Sequence, residues 1–189
     1  LQAILGKLGV PPGAADRTRP WLMMLQLSFP GCEVVRQTSG IKPLDQRIGE
    51  RTIARGAEVV GLETAKSQME AMARLPEADQ IALLSTAIIG HAEIDDTFET
   101  LLLRYLDRDV GPIMPLQYHL AEKAGLSREA MQTFERELVI KRNHKMVEAA
   151  LPFLEEGSLA ICVGALHLPG KDGLVELIRA KGYKVTAIE

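Results

Sequence analysis

Cysteine is scarce in this chain of 189 residues, with Cys32 and Cys162 the only two. Two thiols so far apart cannot build a disulfide scaffold and lack the spacing of a metal knuckle. Whether they pair with each other is open on sequence alone, and Cys162, inside an apolar run, reads as an inert thiol of the core. Long apolar runs are missing too. No stretch approaches the roughly 20 residues that cross a bilayer, and no basic-then-apolar leader opens the chain. Because the first residue is Leu1, an upstream portion, a leader included, stays open. Nor is there a basic run. The 22 basic and 25 acidic side chains are interspersed, for a net charge of −3, which argues against nucleic acid or an anionic membrane as partner. Internal repeats and low-complexity tracts are absent. A hydrophobic content of 47% is enough to bury a core, and one globular domain over 1–189 is the expectation.

Several catalytic templates are also missing. There is no Gly-x-Ser-x-Gly, no Gly-Lys-Ser/Thr and no His-Glu-x-x-His, so serine esterase, P-loop nucleotide hydrolase and zincin chemistry are excluded on their own signatures.

What is present is periodicity. Leu1–Leu8 reads as a short helix, and Pro20 begins a second with Trp21, Leu22, Leu25 and Phe29 on one stripe. Pro30–Pro43 reads as a short strand between loops. Asp45 can cap a helix through about Arg55, stopped by Gly56. The run Ala57-Glu58-Val59-Val60-Gly61-Leu62-Glu63 then has the composition of a buried strand ending in a carboxylate. From Thr64 to Phe153 the spacing is helical, marked by Met69, Met72 and Leu75, by Ile81, Leu84 and Ile88, by Phe98, Leu101, Leu102 and Tyr105, and by Met131, Phe134 and Leu138. Some four to six helices are expected there, broken near Pro76, Gly111-Pro112, Pro115 and Gly125. Leu159–Val163 reads as a strand, Leu174–Ala180 as a helix stopped by Gly182, and Tyr183–Ile188 as a last strand. The expected fold class is therefore α/β: a small parallel or mixed sheet, a helical insertion over 64–153 and a C-terminal strand-helix-strand unit.

In such sheets ligands gather beyond the carboxyl ends of the strands. Glu63 follows one predicted strand. His167 follows another, after Gly164, which lets the backbone turn sharply. A carboxylate and a neutral imidazole suit a hydrolytic divalent metal, although two ligands are one short of a site. Arg142 and Asn143 lie on the helix leading back to His167, flanked by Lys141, His144 and Lys145. An arginine there could hold a carboxylate, a phosphate or a developing oxyanion in its fork, or belong to a solvated basic face. His91, among Glu93, Asp95 and Asp96, reads as surface charge pairing, and His119 beside Tyr118 as structural.

Taken in order, Leu44-Asp45, Val60-Gly61-Leu62-Glu63-Thr64 with Gln68, Arg142-Asn143-His144-Lys145-Met146, Val163–Gly170, Gly173-Leu174 and Gly182-Tyr183, with Trp21 ahead of them, resemble the TraB/PrgY/GumN family. That family is related to the Tiki proteases and more distantly to the erythromycin-esterase and ChaN-like superfamily. The resemblance implies a metal-dependent hydrolase of the peptidase type, with a divalent ion such as manganese, cobalt or zinc. It matches Gly164 and His167 to the second of the family's two Gly-x-x-His motifs, and implies His167 and Glu63 as metal ligands and Glu63, Arg142 and Asn143 as catalytic residues. The first motif is missing, since no histidine precedes His91. Either it lies upstream of Leu1 or the member is degenerate. The expectation is that the first strand region is lacking, that this form is inactive, and that the exposed sheet edge pairs with another copy or with an N-terminal segment. A non-catalytic protein that binds or sequesters peptides, tied to surface-polysaccharide or pheromone traffic, is the alternative. A periplasmic or cell-surface location is implied by resemblance alone.

Overall fold

The computed structural model describes residues 13–188 together with Gly6 and Pro11. The helix expected over Leu1–Leu8 lies outside them apart from Gly6. Among the described residues run ten α-helices: α1 Pro20–Leu27, α2 Gly31–Thr38, α3 Leu44–Ala54, α4 Ala65–Ala73, α5 Glu77–Gly90, α6 Ile94–Leu106, α7 Ile113–Lys123, α8 Arg128–Glu135, α9 Lys141–Glu156 and α10 Leu174–Ala180. A π turn over Arg136–Ile140 joins α8 and α9 into one continuous rod, and a single 3-10 turn, Ala165–His167, stands between α9 and α10.

Helix boundaries follow local chemistry. Pro20 opens α1 at its first position, where the missing N–H costs nothing. Thr64 and Ser67 cap α4 reciprocally, each side chain accepting from the other's backbone N–H. Ser127 caps α8 by accepting from the Ala130 N–H. After α7, Gly125 takes φ 87°, which lets the Leu126 N–H reach back to the Ala121 carbonyl.

The core is a layer of helix on helix. Met23, Met24 and Leu27 of α1 meet Leu83 and Leu84 of α5, with Ala71, Met72 and Leu75 from α4 and its end, Ala121 and Leu126 from α7 and its end, and Met131 and Leu138 from the rod. Gln80 is buried among them, and its side-chain N–H caps the Leu75 carbonyl across the α4–α5 turn at 2.8 Å. A smaller cluster, Met146, Val147 and Ala150, lies where α9 meets α10 at Leu174.

The α/β expectation does not hold. Among the described residues none lies in a strand, and their regular structure is all helical. The reason is that β-rich composition makes a strand only where a second backbone pairs with it. Ala57–Leu62, Leu159–Val163 and Tyr183–Ile188 run without helix or ladder, and Val59 and Val60 are 51% and 47% exposed. Cys162 is accordingly exposed and not a core thiol, and both cysteines are free. Pro30–Pro43 is no strand either, because α2 occupies most of it, with Pro30 at the position before its first turn.

Two smaller expectations also shift. On α1 the buried residues are Met23, Met24 and Leu27, with Trp21 and Leu25 packed beside them, while Leu22 and Phe29 face out. Pro115 does not break α7 but sits within its first turn, where the ring is tolerated. Helices α2, α3 and α6 have no buried residue at all.

This partition gives a stability test. Leu27→Ala should lose about 2–5 kcal/mol of unfolding free energy, whereas Val35→Ala, on the unburied α2, should stay within about 0.5 kcal/mol of the parent. Urea denaturation followed by circular dichroism reads both, and equal losses would place the core elsewhere.

Candidate active site

The rod built by α8, the π turn and α9 aims the site. Along α8 and into the π turn the buried positions Met131 and Leu138 keep helical spacing, and the next buried residues are Asn143, Met146, Val147 and Ala150. The step from 138 to 143 is five residues, where an unbroken α-helix would step by about 3.6. The π turn accommodates the extra residue and shifts the inward-facing phase of the rod by one residue, about 100° around the helix axis. As a result Asn143 takes the fully buried position and Arg142 the edge beside it.

Glu63 arrives from the opposite side, as the residue before the Thr64 cap of α4. Its carboxylate side chain, 8% exposed, is held in the fork of Arg142. Arg142 Nε donates to Oε1 and Oε2 at 3.0 Å each, and Nη2 donates to Oε2 at 2.7 Å. Nη1 donates to the Leu138 carbonyl at 3.0 Å. Two of the five guanidinium N–H groups remain for another acceptor. The fork therefore takes a carboxylate, as its chemistry suggests, but that carboxylate is the protein's own.

His167 completes the group from the 3-10 turn. Its Nδ1 lies 2.5 Å from Asn143 Oδ1, and Asn143 Nδ2 donates to the Asp172 carbonyl at 2.7 Å. A carbonyl can only accept, so the amide nitrogen must face Asp172 and the amide oxygen must face the imidazole. Nδ1 must then carry the proton. The lone pair is left on Nε2. Burial and the Arg142 charge lower the His167 pKa, with Glu63 opposing them, so the ring is neutral near pH 7.

Asp172 and Gly173 support this geometry; Asp172 was missed in the sequence, and Gly173 entered only as part of the family resemblance. Gly173 opens α10 where the chain folds back on itself, and a Cβ there would run into the Leu168 and Pro169 carbonyls. The signal was the close Pro169-Gly170 and Asp172-Gly173 punctuation. Gly164 is different. Its φ of −57° suits any residue, and an added Cβ would meet His167 Cδ2 at an ordinary 3.6 Å, so the sharp turn expected at Gly164 is not what places the imidazole.

The flanking residues fall outside the group. Lys141 pairs with Glu137 at 2.6 Å and His144 faces Asp172 at 3.6 Å. His119 is exposed on α7. His91 does not pair with the nearby acids as expected: it ends α5, and its Nδ1 is buried without a hydrogen-bond partner.

A cavity of about 260 Å³ opens beside the Glu63–Arg142 pair, lined by Gly61, Leu62, Thr64, Ser67, Arg74 and Lys145. A larger one, about 480 Å³, lies against α3 around Arg47 and Glu50 and includes none of the four site residues.

A catalytic zinc ion takes three protein ligands. Among the described residues no three His, Cys, Asp or Glu side chains come together for a metal. His167 Nε2 is one open donor, and both oxygens of Glu63 are already in the arginine fork. This donor set does not fit a catalytic metal unaided.

Two outcomes test the geometry. Removing the Arg142 charge as Arg142→Gln should raise the His167 pKa, and removing the Glu63 charge as Glu63→Gln should lower it further. Imidazole resonances followed by NMR against pH read both, and unmoved titrations would separate His167 from the ion pair. Because the folded pKa lies below the ordinary value of about 6.5, the stability tied to the neutral ring is complete above that pH and is lost as pH falls through the folded value. Asn143→Ala should lose about 1–3 kcal/mol, since it strands the Asp172 carbonyl and the His167 N–H, and should release the tautomer. A chain as stable as the parent, with Nδ1 still protonated by ¹⁵N shifts, would contradict this.

The match to known proteins covers the same ground. The TraB/PrgY/gumN family model matches residues 1–187. Metalloprotease TIKI1 of Danio rerio is 21% identical over 196 residues, which cover 92% of this chain and 39% of that protein. The chain thus spans about two fifths of the length of that curated relative. No solved structure matches. With the family model spanning nearly its whole length, this chain belongs to the TraB/PrgY/gumN family.

Proposed function

We propose that the chain carries a hydrolytic site of the peptidase type in which His167 Nε2 is the reactive nitrogen. The observation that supports this most is the Asn143 amide, which fixes the proton on Nδ1 and leaves Nε2 bare on a half-buried, neutral ring. Such a nitrogen can take a proton from water as its oxygen adds to a peptide carbonyl carbon. The two unused N–H groups of Arg142 can then hold the carbonyl oxygen as negative charge develops on it. Glu63 keeps the guanidinium in place and balances its charge near the imidazole. As the tetrahedral adduct collapses and its C–N bond breaks, the proton on Nε2 passes to the leaving amine nitrogen, which restores the neutral ring.

The similarity to a protein named as a metalloprotease adds a divalent ion to the proposal. It would supply Lewis-acid chemistry at the scissile carbonyl or at water. With an ion bound, the His167 Nε2 lone pair would serve as a ligand and not as the base, and further donors would come from beyond the described residues.

The test is turnover of a quenched-fluorescence peptide library by the parent chain, His167→Ala and Asn143→Ala, with divalent metals added singly. His167→Ala should lose at least about a hundredfold in rate, and Asn143→Ala should lose rate while its pH profile broadens. Equal rates in parent and His167→Ala would end the proposal. Peptide binding without cleavage in the parent under every metal would select the sequestering alternative.

A further inference from the structure

The cavity beside the ion pair has an imbalance of charge and of hydrogen bonds that the hydrolytic reading does not use. The two hydroxyls in its lining are engaged with backbone groups of the α4 cap. The Thr64 hydroxyl accepts from the Ser67 N–H at 3.0 Å, and the Ser67 hydroxyl donates to the Thr64 carbonyl at 2.8 Å. Glu63 is taken by Arg142. Two cations are left over. Lys145 has no acidic partner among the described residues, and its neighbours on α9 hold Glu137, Glu63 and Asp172. Arg74 has only Glu70 at 3.8 Å, beyond hydrogen-bond reach, and Lys66 competes for that carboxylate at 3.9 Å.

Both cations line the same cavity, from different elements: Lys145 from α9 and Arg74 from the end of α4. The Glu63–Arg142 pair in its wall is neutral as a pair. The charged side chains of the lining therefore sum to an excess of positive charge. Its volume, about 260 Å³, is at the small end of ligand sites and holds one residue-sized group, not a whole peptide. An acceptor with negative charge is the ligand group that answers both cations.

We infer that this cavity is a recognition subsite for a carboxylate of the substrate, held by Lys145 and Arg74 next to the Glu63–Arg142 pair. The inference rests on the peptidase reading for the kind of molecule that brings the carboxylate, which is either the peptide's C-terminus or an acidic side chain. Arg74 offers a planar fork to the two oxygens and Lys145 a point charge. With the carboxylate seated there, the adjacent residues of the peptide lie beside Arg142, whose two unused N–H groups face an acceptor.

The experiment is fluorescence anisotropy with the full chain and labelled hexapeptides in three forms: a free C-terminal carboxylate with neutral side chains, the same sequence amidated, and the amidated sequence with one internal glutamate. One carboxylate-bearing form should bind about tenfold more tightly than the neutral amide, the scale of one charge-assisted pair of hydrogen bonds, and whichever does so identifies the source. The Arg74→Gln/Lys145→Gln double variant should bring all three within about twofold of one another, and raised salt should act in the same direction. His167→Ala should keep the preference. Equal binding of the three forms by the parent, or a preference that survives the double variant, would overturn the subsite. Both substituted residues are exposed, so folding is checked by circular dichroism against the parent. No turnover of the peptide library by the parent under any metal, with the preference intact, would instead count against the peptidase reading.

Discussion

Asn143 is 1% exposed, and a primary amide in that position has to find partners on both of its ends or destabilise the fold. Its nitrogen is committed to the Asp172 carbonyl and its oxygen to the His167 ring. That double commitment ties α9 to the turn before α10 and sets the protonation pattern of the imidazole. Asn143 touches the reactive ring but not the bond to be broken, so it acts as a positioning residue. The burial of Asn143 depends in turn on the π turn, and so one irregular stretch of helix underlies both the local packing and the chemistry.

The Glu63–Arg142 pair is a different kind of constraint. It joins residues 79 apart in sequence through three short contacts, and it holds the loop after α3 against the rod. Removing one member would leave a nearly buried charge alone, which is far more costly than the pair is beneficial. Its two charges also act on His167 with opposite sign. Burial contributes most to lowering the His167 pKa, the Arg142 charge adds to it and the Glu63 charge opposes it.

Much of this was legible in the sequence and some was not, for physical reasons. The helix over Leu44–Ala54, the helix over Leu174–Ala180 and the helical stretch from Thr64 onward follow from caps, stops and 3.6-residue spacing. Glu63 and His167 could be singled out by residue type and position, Arg142 and Asn143 by the family resemblance, and the four lie together in the structure. Their connectivity could not be read, because it depends on a helix register that shifts at 136–140: Met131, Phe134 and Leu138 point to 142 as the next inward position, and only the later run Met146, Val147 and Ala150 shows that the phase has moved to 143. The strands were misread because Val59-Val60 and Leu159–Val163 have strand composition, and composition says nothing about whether a pairing backbone is at hand. The same error placed Cys162 inside.

The π turn makes the rod from Arg128 to Glu156 a measured length between two packed ends. Substitutions along its outer face change side chains but not the count of residues between Leu138 and Asn143. A single codon gained or lost there would leave both ends free to dock as before, yet it would present Arg142 or His144 where the amide now sits. Loops such as Arg55–Leu62 have no such fixed frame. In this chain, length at one turn of helix is a more exacting constraint than identity over most of the surface.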